Sequence, residues 1–286
     1  MSDPHVEANR ANWDERVEGH LVAYDTDGFV ADAARISTVV RDDLRLMAPR
    51  LPNGSVDGLS LAHLQCHIGT DTLSFARLGA HVVGVDFSGE AISAARMLAR
   101  RAGLEGRFVQ STVDDAAAAV AEQLGAAETF DVVYTSIGAL TWLPDLAAWA
   151  RSIRALLKPG GLFYVRDTHP MFSTIDDERS DEDLVVRYPY FGGAEPLRFD
   201  SEFSYAGTAS LSNTTNYEWP HPISEIVGVL LGVGLTIEAF GEQDTLPWRA
   251  LPWMVETETG SPFDGNWMLP TGRDRVPLTF SLAARG

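Results

Sequence analysis

The segment LAHLQCHIGTD, residues 61–71, decides the fold of this chain together with VVGVD, residues 82–86. The first is an apolar run that enters a turn at Gly69 with a helix start behind it, and the second is an apolar run that ends on Asp86. In a β-α-β unit, backbone N–H groups at the helix N-terminus face a bound nucleotide, and the acid after the second strand accepts ribose hydroxyls. The two segments therefore predict a nucleotide-binding unit with Asp86 on the ribose.

Composition limits the possible partners. The chain has 286 residues, 45% of them hydrophobic, with 22 basic and 40 acidic side chains for a net charge of −18. A protein this acidic is poorly suited to binding phosphate backbones, so we expect no nucleic-acid partner. The single cysteine, Cys66, excludes an intramolecular disulfide and favours a reducing compartment. The sequence begins without an apolar leader and has no run of about 18 apolar residues, so we expect a cytoplasmic protein without membrane contact.

Strands alternate with helices from residue 59 onward. The pattern predicts a mostly parallel seven-stranded sheet with helices on both faces, an α/β fold connected by right-handed crossovers. Residues that can start a helix precede the apolar helical stripes: Thr70 or Asp71, Ser88, and Ser224. We predict a single domain, 1–286, in which 1–52 form a helical cap, 53–170 and 222–286 form the core, and 171–221 form a β-rich insertion. That insertion is rich in aromatic residues, including Tyr205.

The N-terminal region has two interpretations. Trp13, Val17 and Leu21 recur at helical spacing, which is typical of a helix packed on a core. The alternative is a lid in which Trp13 or Tyr24 closes over the ligand, because a segment before the first strand can reach the carboxyl ends of the strands.

Four segments, two of which overlap those quoted above, carry a resemblance to a known family. They are the Gly69 turn, VDFS at residues 85–88, FDVV at residues 130–133 and LKPGG at residues 157–161. In this order and spacing the chain resembles class I S-adenosylmethionine-dependent methyltransferases over about residues 60–170. The resemblance implies a Rossmann-like fold and S-adenosylmethionine as the cofactor. It further implies in-line transfer of a methyl group to a nitrogen or oxygen of a small molecule.

The first motif departs from the family pattern of acid-x-Gly-x-Gly-x-Gly. The matching positions are His63, Gln65, His67 and Gly69, so only the last glycine remains. Similar proteins with Leu-Gln-Cys-His form a subgroup of small-molecule methyltransferases. The resemblance then implies that Gln65 and His67 contact the methionine part of the cofactor, while Gly69 lets the backbone approach it. Two alternatives are a degenerate pocket obstructed by these side chains, and a His67 ring that only satisfies turn carbonyls.

The resemblance assigns the remaining cofactor contacts. Asp86 holds the ribose and Phe87 packs on the adenine. The adenine amino group meets Asp114 or the Val113 backbone, because the usual acid is absent. Ser136, after the fourth strand, lines the sulfonium end.

The substrate side is less defined by the sequence. His169 follows the fifth strand and titrates in the range of a general base, although it can equally be a structural histidine before Pro170. Trp13, Tyr24, Trp142 and Tyr188 are expected to form a wall for a flat or cationic acceptor. No His, Asp or Glu cluster has metal-ligand spacing, so we expect no metal. A nicotinamide-dependent oxidoreductase and a non-catalytic binding protein remain as alternatives.

Overall fold

Three helices precede the sheet. The computed structural model describes residues 3–125, 127, 129–204, 206 and 210–286. It begins with α1 (Pro4–Ala23), α2 (Thr26–Ala31) and α3 (Thr38–Met47). Asp3 and Ser37 cap α1 and α3 because their side chains accept hydrogen bonds from backbone N–H groups of the first turn.

Strands and helices then alternate as predicted. The elements up to residue 168 are β1 (Ser60–Leu64), α4 (Thr70–Arg77), β2 (His81–Asp86), α5 (Gly89–Ala102), β3 (Arg107–Gln110), α6 (Ala116–Leu124), β4 (Phe130–Thr135), α7 (Leu146–Leu156) and β5 (Leu157–Thr168). After the insertion follow α8 (Ile223–Gly232), β8 (Thr236–Gln243) and the terminal strand (Thr279–Arg285).

The sheet has the predicted class of topology. In the described residues, seven strands follow the order β3, β2, β1, β4, β5, terminal strand, β8. Leu61 of β1 pairs in parallel with both Val82 and Val132, whereas the terminal strand runs antiparallel to β5 and β8. The chain proceeds outward from β1 in both directions, which creates a switch point at the carboxyl ends of β1 and β4. This edge of the sheet is where a ligand of such a fold binds.

Alternate residues of the strands divide the core into two faces. One face packs Val133 and Phe163 against Trp149 of α7 and Leu230 of α8. The opposite face packs Leu61, Val82 and Tyr134 against α3 and α4. The period of two along the central strands therefore places helices on both faces, which confirms the predicted fold class.

Two predicted helix starts are wrong. The residue before α4 is Gly69, with a φ of 79° and no side-chain cap, while Thr70 and Asp71 already lie in the first turn. The residue before α8 is Pro222, so Ser224 lies inside the helix. In both places the turn geometry, rather than a capping side chain, determines where the helix begins. The predicted cap at Ser88 is confirmed, because Ser88 Oγ accepts a hydrogen bond from Ala91 N.

The region after β5 contains two small sheets. One is the antiparallel pair β6 (Leu197–Asp200) and β7 (Thr215–Glu218), which lies in the insertion as predicted. The other joins β9 (Thr245–Leu246), β10 (Val255–Glu256) and β11 (Trp267–Met268) within a stretch expected to be a loop. The terminal strand is therefore β12. Tyr205 of the insertion lies outside the described residues. Of the helices in the described part of the chain, none combines the length and the apolar composition needed to cross a membrane.

Candidate active site

A large cavity lies at the carboxyl ends of the central strands. Its volume is about 1070 Å³, and it extends from the ends of β1 and β2 to the insertion and the 247–251 segment. Most residues predicted for the cofactor or the substrate line it: Trp13, Tyr24, Gln65, His67, Asp86, Phe87, Val113, Asp114, Ser136, Trp142 and Tyr188. Two predicted residues, Gly69 and His169, are absent from its wall.

The turn between β1 and α4 adopts a glycine-like backbone without glycines. Gln65 and His67 have positive φ angles of 59° and 49°, in the left-handed region that costs non-glycine residues about 1 kcal/mol or more. Gln65 Nε2 donates to the carbonyl of Ala139 at 2.8 Å, which ties the turn to the segment after β4. Both side chains lie in the wall of a cavity that stays open, so they do not obstruct it.

Gly69 serves helix packing rather than the cavity. A Cβ added at this position would lie 2.9 Å from Ala95 Cβ and 3.0 Å from Phe108 Cε1. The glycine therefore lets α4 approach α5 and β3. Its φ of 79° is a second reason why glycine is favoured at this position. Gly69 is absent from the cavity wall, and the approach of its backbone to the cofactor stays a prediction.

Asp86 is fixed at the end of β2 with acceptor capacity left over. Its Oδ2 accepts from His67 N at 2.8 Å, and its Oδ1 accepts from Ser88 N at 2.9 Å. Burial raises the pKa of Asp86 to about 6. At neutral pH the group is ionised, and each oxygen keeps a further lone pair for a hydroxyl donor.

Two histidines join α1 to this turn. His20 Nδ1 lies 2.8 Å from His67 Nε2, and His20 Nε2 lies 2.7 Å from Ser204 Oγ. Burial lowers the pKa of His67 to about 3 and that of His20 to about 4, so both rings are neutral at physiological pH. His67 is thus bonded to the helical cap, a contact that neither interpretation of its ring anticipated.

His63, at the position where the family pattern has an acid, forms a buried bridge between Thr72 and Ser136. Its Nδ1 lies 2.8 Å from Thr72 Oγ1, and its Nε2 lies 3.0 Å from Ser136 Oγ. Burial lowers the pKa of His63 to about 3, so the ring is neutral. It connects α4 to the segment after β4 and does not line the cavity.

Asp167 holds the segment after β4 in place. Its carboxylate accepts backbone hydrogen bonds from Gly138, Ala139 at 3.1 Å and Leu140 at 2.8 Å. Burial raises the pKa of this carboxyl group, and the N–H donors oppose the shift. With Gln65 on the opposite side, Asp167 fixes the backbone of 138–140 in the wall of the cavity.

The structure does not place His169 in the candidate site. Its Nδ1 accepts from Met171 N at 3.0 Å, its Nε2 lies 3.0 Å from Glu242, and its ring lies edge-on to Phe280. Both ring nitrogens are therefore used in structural contacts away from the cavity. The geometry favours the structural alternative over the role of general base.

Aromatic rings form part of the cavity wall, and two of them contact the turn after β1: the rings of Trp13 and Tyr24 lie 5.2 Å and 6.1 Å from that of His67. Trp13 and Trp142 meet edge to face with centroids 5.2 Å apart, and Arg16 Cζ lies 5.0 Å and 6.0 Å from their respective centroids. Tyr188 donates a hydrogen bond to Asp177 at 3.1 Å. Among the described residues, no group of three or more His, Cys, Asp or Glu side chains could hold a metal ion.

Comparisons with known proteins agree with this geometry. Residues 62–163, from β1 to β5, match the family described as "Methyltransferase domain". Over residues 62–163 the chain is therefore similar to a methyltransferase domain. It is 33% identical over 153 residues to a ubiquinone biosynthesis O-methyltransferase of Cronobacter sakazakii, covering 54% of this chain and 55% of the relative. The matched region spans about half the length of the curated relatives.

Solved structures share the fold of the methyltransferase domain. An S-adenosylmethionine-dependent methyltransferase from Mesorhizobium loti aligns with a TM-score of 0.52 at 20% identity, covering 85% of this chain and 95% of that one. One from Clostridium acetobutylicum aligns with a TM-score of 0.54 at 14% identity, covering 88% and 93%. The expected class is thereby confirmed at the level of the domain and its fold.

The sequence-based predictions missed several residues that line the cavity. Asp167 lies two residues before His169, so the segment that drew attention to His169 could also have indicated Asp167. Arg16 is one helical turn after Trp13, a spacing that could have placed it on the same face. Glu218 and the 247–251 segment also line the cavity, and no sequence signal pointed to them.

Proposed function

We propose that this chain transfers a methyl group from S-adenosylmethionine to an oxygen or nitrogen of a small molecule. The observation that carries the proposal is the buried Asp86 carboxylate in the cavity wall, held by two N–H groups with lone pairs to spare. A vicinal diol, such as the two hydroxyls of a ribose, fits such an acceptor because each hydroxyl can donate to one oxygen.

The residues of the turn fit the rest of the cofactor. Gln65 Oε1 is buried and has no hydrogen-bond partner among the described residues, while Gln65 Nε2 is already bonded to Ala139. A buried acceptor without a donor is unfavourable by about 1–3 kcal/mol, so a ligand donor at this point is stabilising. The ammonium group of the methionine part would supply that donor.

The chain's contribution is to bind, orient and exclude water. Asp86 would hold the ribose, Phe87 the adenine face, and Ser136 would lie near the sulfonium end, with Asp114 or the Val113 backbone as the predicted adenine contacts. The cofactor supplies an activated methyl group, which makes alignment the main requirement for transfer. Helix α1 and the insertion are joined by two hydrogen bonds and both line the cavity, where they would limit the access of water.

The acceptor is proposed to be a flat small molecule. Trp13, Tyr24, Trp142 and Tyr188 line the cavity, and aromatic faces suit planar or cationic groups. The O-methyltransferase relative supports a small-molecule acceptor, and oxygen and nitrogen remain the two candidate atoms. The net charge of −18 and the single Cys66 support a cytoplasmic protein that binds no nucleic acid.

Calorimetry with three ligands tests the proposal. We expect S-adenosylmethionine and S-adenosylhomocysteine to bind the full chain and NADH not to bind. Incubation with methyl-labelled S-adenosylmethionine and a metabolite extract should then label a small molecule. Binding of NADH alone would establish the oxidoreductase alternative, and cofactor binding without any labelled product would favour the non-catalytic one.

A further inference from the structure

Glu218 occupies a junction between the insertion and the core. It is the last residue of β7, and its Oε2 accepts a hydrogen bond from Thr141 Oγ1 at 3.1 Å. The next backbone N–H, that of Trp219, donates to the Thr141 carbonyl at 2.8 Å. These two bonds hold the Glu218 carboxylate against the segment that follows β4, on the wall of the cavity.

The carboxylate has one oxygen left for a ligand. Among the described residues, Thr141 is the hydrogen-bond donor to Glu218, and it uses Oε2 only. The charged groups that face it are Arg16 from α1 and Asp177 from the insertion. Burial raises the pKa of Glu218, the Thr141 hydrogen bond and Arg16 lower it, and Asp177 raises it, with a net upward shift. A half-buried carboxylate of raised basicity is suited to accept a proton.

Four other acids and bases that line the cavity are less available. Asp86 is assigned to the ribose in the proposed function, and the oxygens of Asp167 are bonded to backbone N–H groups that they hold in place. His67 is bonded to His20, and burial lowers its pKa to about 3, which makes it a weak base. Asp177 already accepts a hydrogen bond from the Tyr188 hydroxyl at 3.1 Å.

We propose that Glu218 is the general base that removes the proton from the methyl acceptor. The assignment rests on the proposed function, because it requires a methyl acceptor in this cavity. The acceptor's lone pair forms the new bond to the methyl carbon, and the carbon–sulfur bond breaks with its electron pair left on sulfur. The O–H or N–H proton passes to the Glu218 carboxylate, which later releases it to solvent. The acceptor class is therefore a neutral alcohol, phenol or amine that still carries its proton when it binds.

A titration of Glu218 itself tests its proximity to the reacting centre. The full chain is labelled with carboxyl-¹³C glutamate, and the Glu218 resonance is identified by its loss in Glu218→Gln. Its pKa is measured by NMR with S-adenosylhomocysteine and with sinefungin, which carries a cationic amine where the sulfonium centre lies. A unit charge within several ångströms shifts a carboxyl pKa by roughly one unit or more. We therefore expect a lower Glu218 pKa in the sinefungin complex.

Turnover separates a base from a structural group. With methyl-labelled S-adenosylmethionine and the acceptor found in the extract, Glu218→Gln should lower kcat by about 10²- to 10⁴-fold, because a positioned base contributes that much. It should leave cofactor affinity unchanged and remove the acidic limb of the pH profile of kcat. The matched control is Glu195→Gln, an exposed glutamate of the same insertion, which should behave as wild type.

The outcomes distinguish the two proposals. Failure of both cofactor analogues to bind would overturn the proposed function, and the role of Glu218 with it. Binding of both analogues with one shared Glu218 pKa would overturn the assignment of Glu218 alone. Full turnover in Glu218→Gln with an unaltered pH profile would do the same.

Discussion

His20 Nδ1 and His67 Nε2 are joined by a hydrogen bond of 2.8 Å that connects helix α1 to the turn after β1. One of the two rings must donate and the other accept, so the contact requires both to be neutral or to share a single proton. Protonation of both rings would place two N–H groups against each other. The contact between helix α1 and the turn after β1 is therefore sensitive to acid.

Acid should weaken the fold through these buried histidines. Burial lowers the pKa of His20 to about 4 and those of His63 and His67 to about 3, all below the ordinary 6.5. The unfolded chain then binds more protons below pH 6.5, so their contribution to stability is complete above pH 6.5 and is lost as the pH falls toward 3–4. At pH 5 we expect a loss on the order of 1–2 kcal/mol per histidine.

Urea unfolding at pH 7.5 and pH 5 measures this loss. His20→Gln should show a smaller decrease in the free energy of unfolding between the two pH values than wild type does. His81→Gln, at an exposed position on β2, serves as the control and should show the wild-type decrease. Equal decreases in all three proteins would contradict the assignment.

Asp86→Asn should weaken cofactor binding more than tenfold. The substitution keeps the size of the side chain but removes the charge and one acceptor oxygen, and hydrogen bonds to charged groups contribute about 1.5–3 kcal/mol. Because the pKa of Asp86 is raised to about 6, wild-type affinity for S-adenosylhomocysteine should be constant above neutrality and fall below pH 6. Calorimetry checks both, with the exposed Glu90→Gln as control. An unchanged dissociation constant would remove Asp86 from the ribose.

Gly69→Ala should destabilise the protein more than Gly103→Ala. Both glycines have positive φ, 79° and 64°, so each alanine carries a similar backbone cost of about 1–2 kcal/mol. A methyl at Gly69 also meets Ala95 and Phe108, whereas nothing lies within 4 Å of one at Gly103. Overpacking adds about 1–3 kcal/mol, and chemical denaturation should show this difference. If both variants lost the same free energy of unfolding, α5 would have to shift without cost to accommodate the added methyl group.

Asp167→Ala should loosen the 138–140 segment. Three consecutive N–H groups lose their acceptor in a buried place, at about 1–3 kcal/mol for each group left unsatisfied. Hydrogen exchange should report loss of protection at Gly138, Ala139 and Leu140. Asp145→Ala is the control, because Asp145 is an exposed helix cap that also accepts two N–H bonds. In that variant water can bond to the two N–H groups, so the free energy of unfolding should fall by only about 1 kcal/mol. Retained protection in Asp167→Ala would contradict the role.

The sequence predicts what local pattern can encode. The periodicity of apolar residues predicts the order of the strands and helices. Asp86 was identified because it is an acid directly at the end of a buried strand. The left-handed turn was also accessible, because Gln65 and His67 stand where the family has glycines. Short strands such as Thr245–Leu246 carry no periodicity, so the three-stranded sheet could not be predicted.

Side-chain direction past a strand end was the other obstacle. His169 lies one residue beyond β5, where strand alternation no longer determines which way a side chain points. Its partner Glu242 comes from β8, and the partner of Glu218 comes from the segment after β4. Such contacts between distant parts of the chain depend on tertiary packing rather than on local pattern.

Asn9→Ala should detach α1 from the insertion. Asn9 Nδ2 donates to the Tyr217 carbonyl at 2.8 Å, and Asn9 Oδ1 accepts from Tyr217 N at 2.7 Å. Losing both bonds should raise hydrogen exchange in α1 and β7 together, at about 1 kcal/mol for each bond. Asn53→Ala, in a turn far along the chain, should leave exchange in α1 unchanged. Faster exchange in α1 alone would show that the two segments move separately.

The Asn9 contact joins residues 208 positions apart, so it ties helix α1 to the insertion, and both of these segments line the cavity. The acceptor preference could be altered by transplanting the insertion from a relative. In such a chimera α1 would contact a β7 strand with which it did not evolve. A functional chimera would have to carry α1 and the β6–β7 pair together. In evolution, substitutions in either segment would be tolerated only with compensating substitutions in the other.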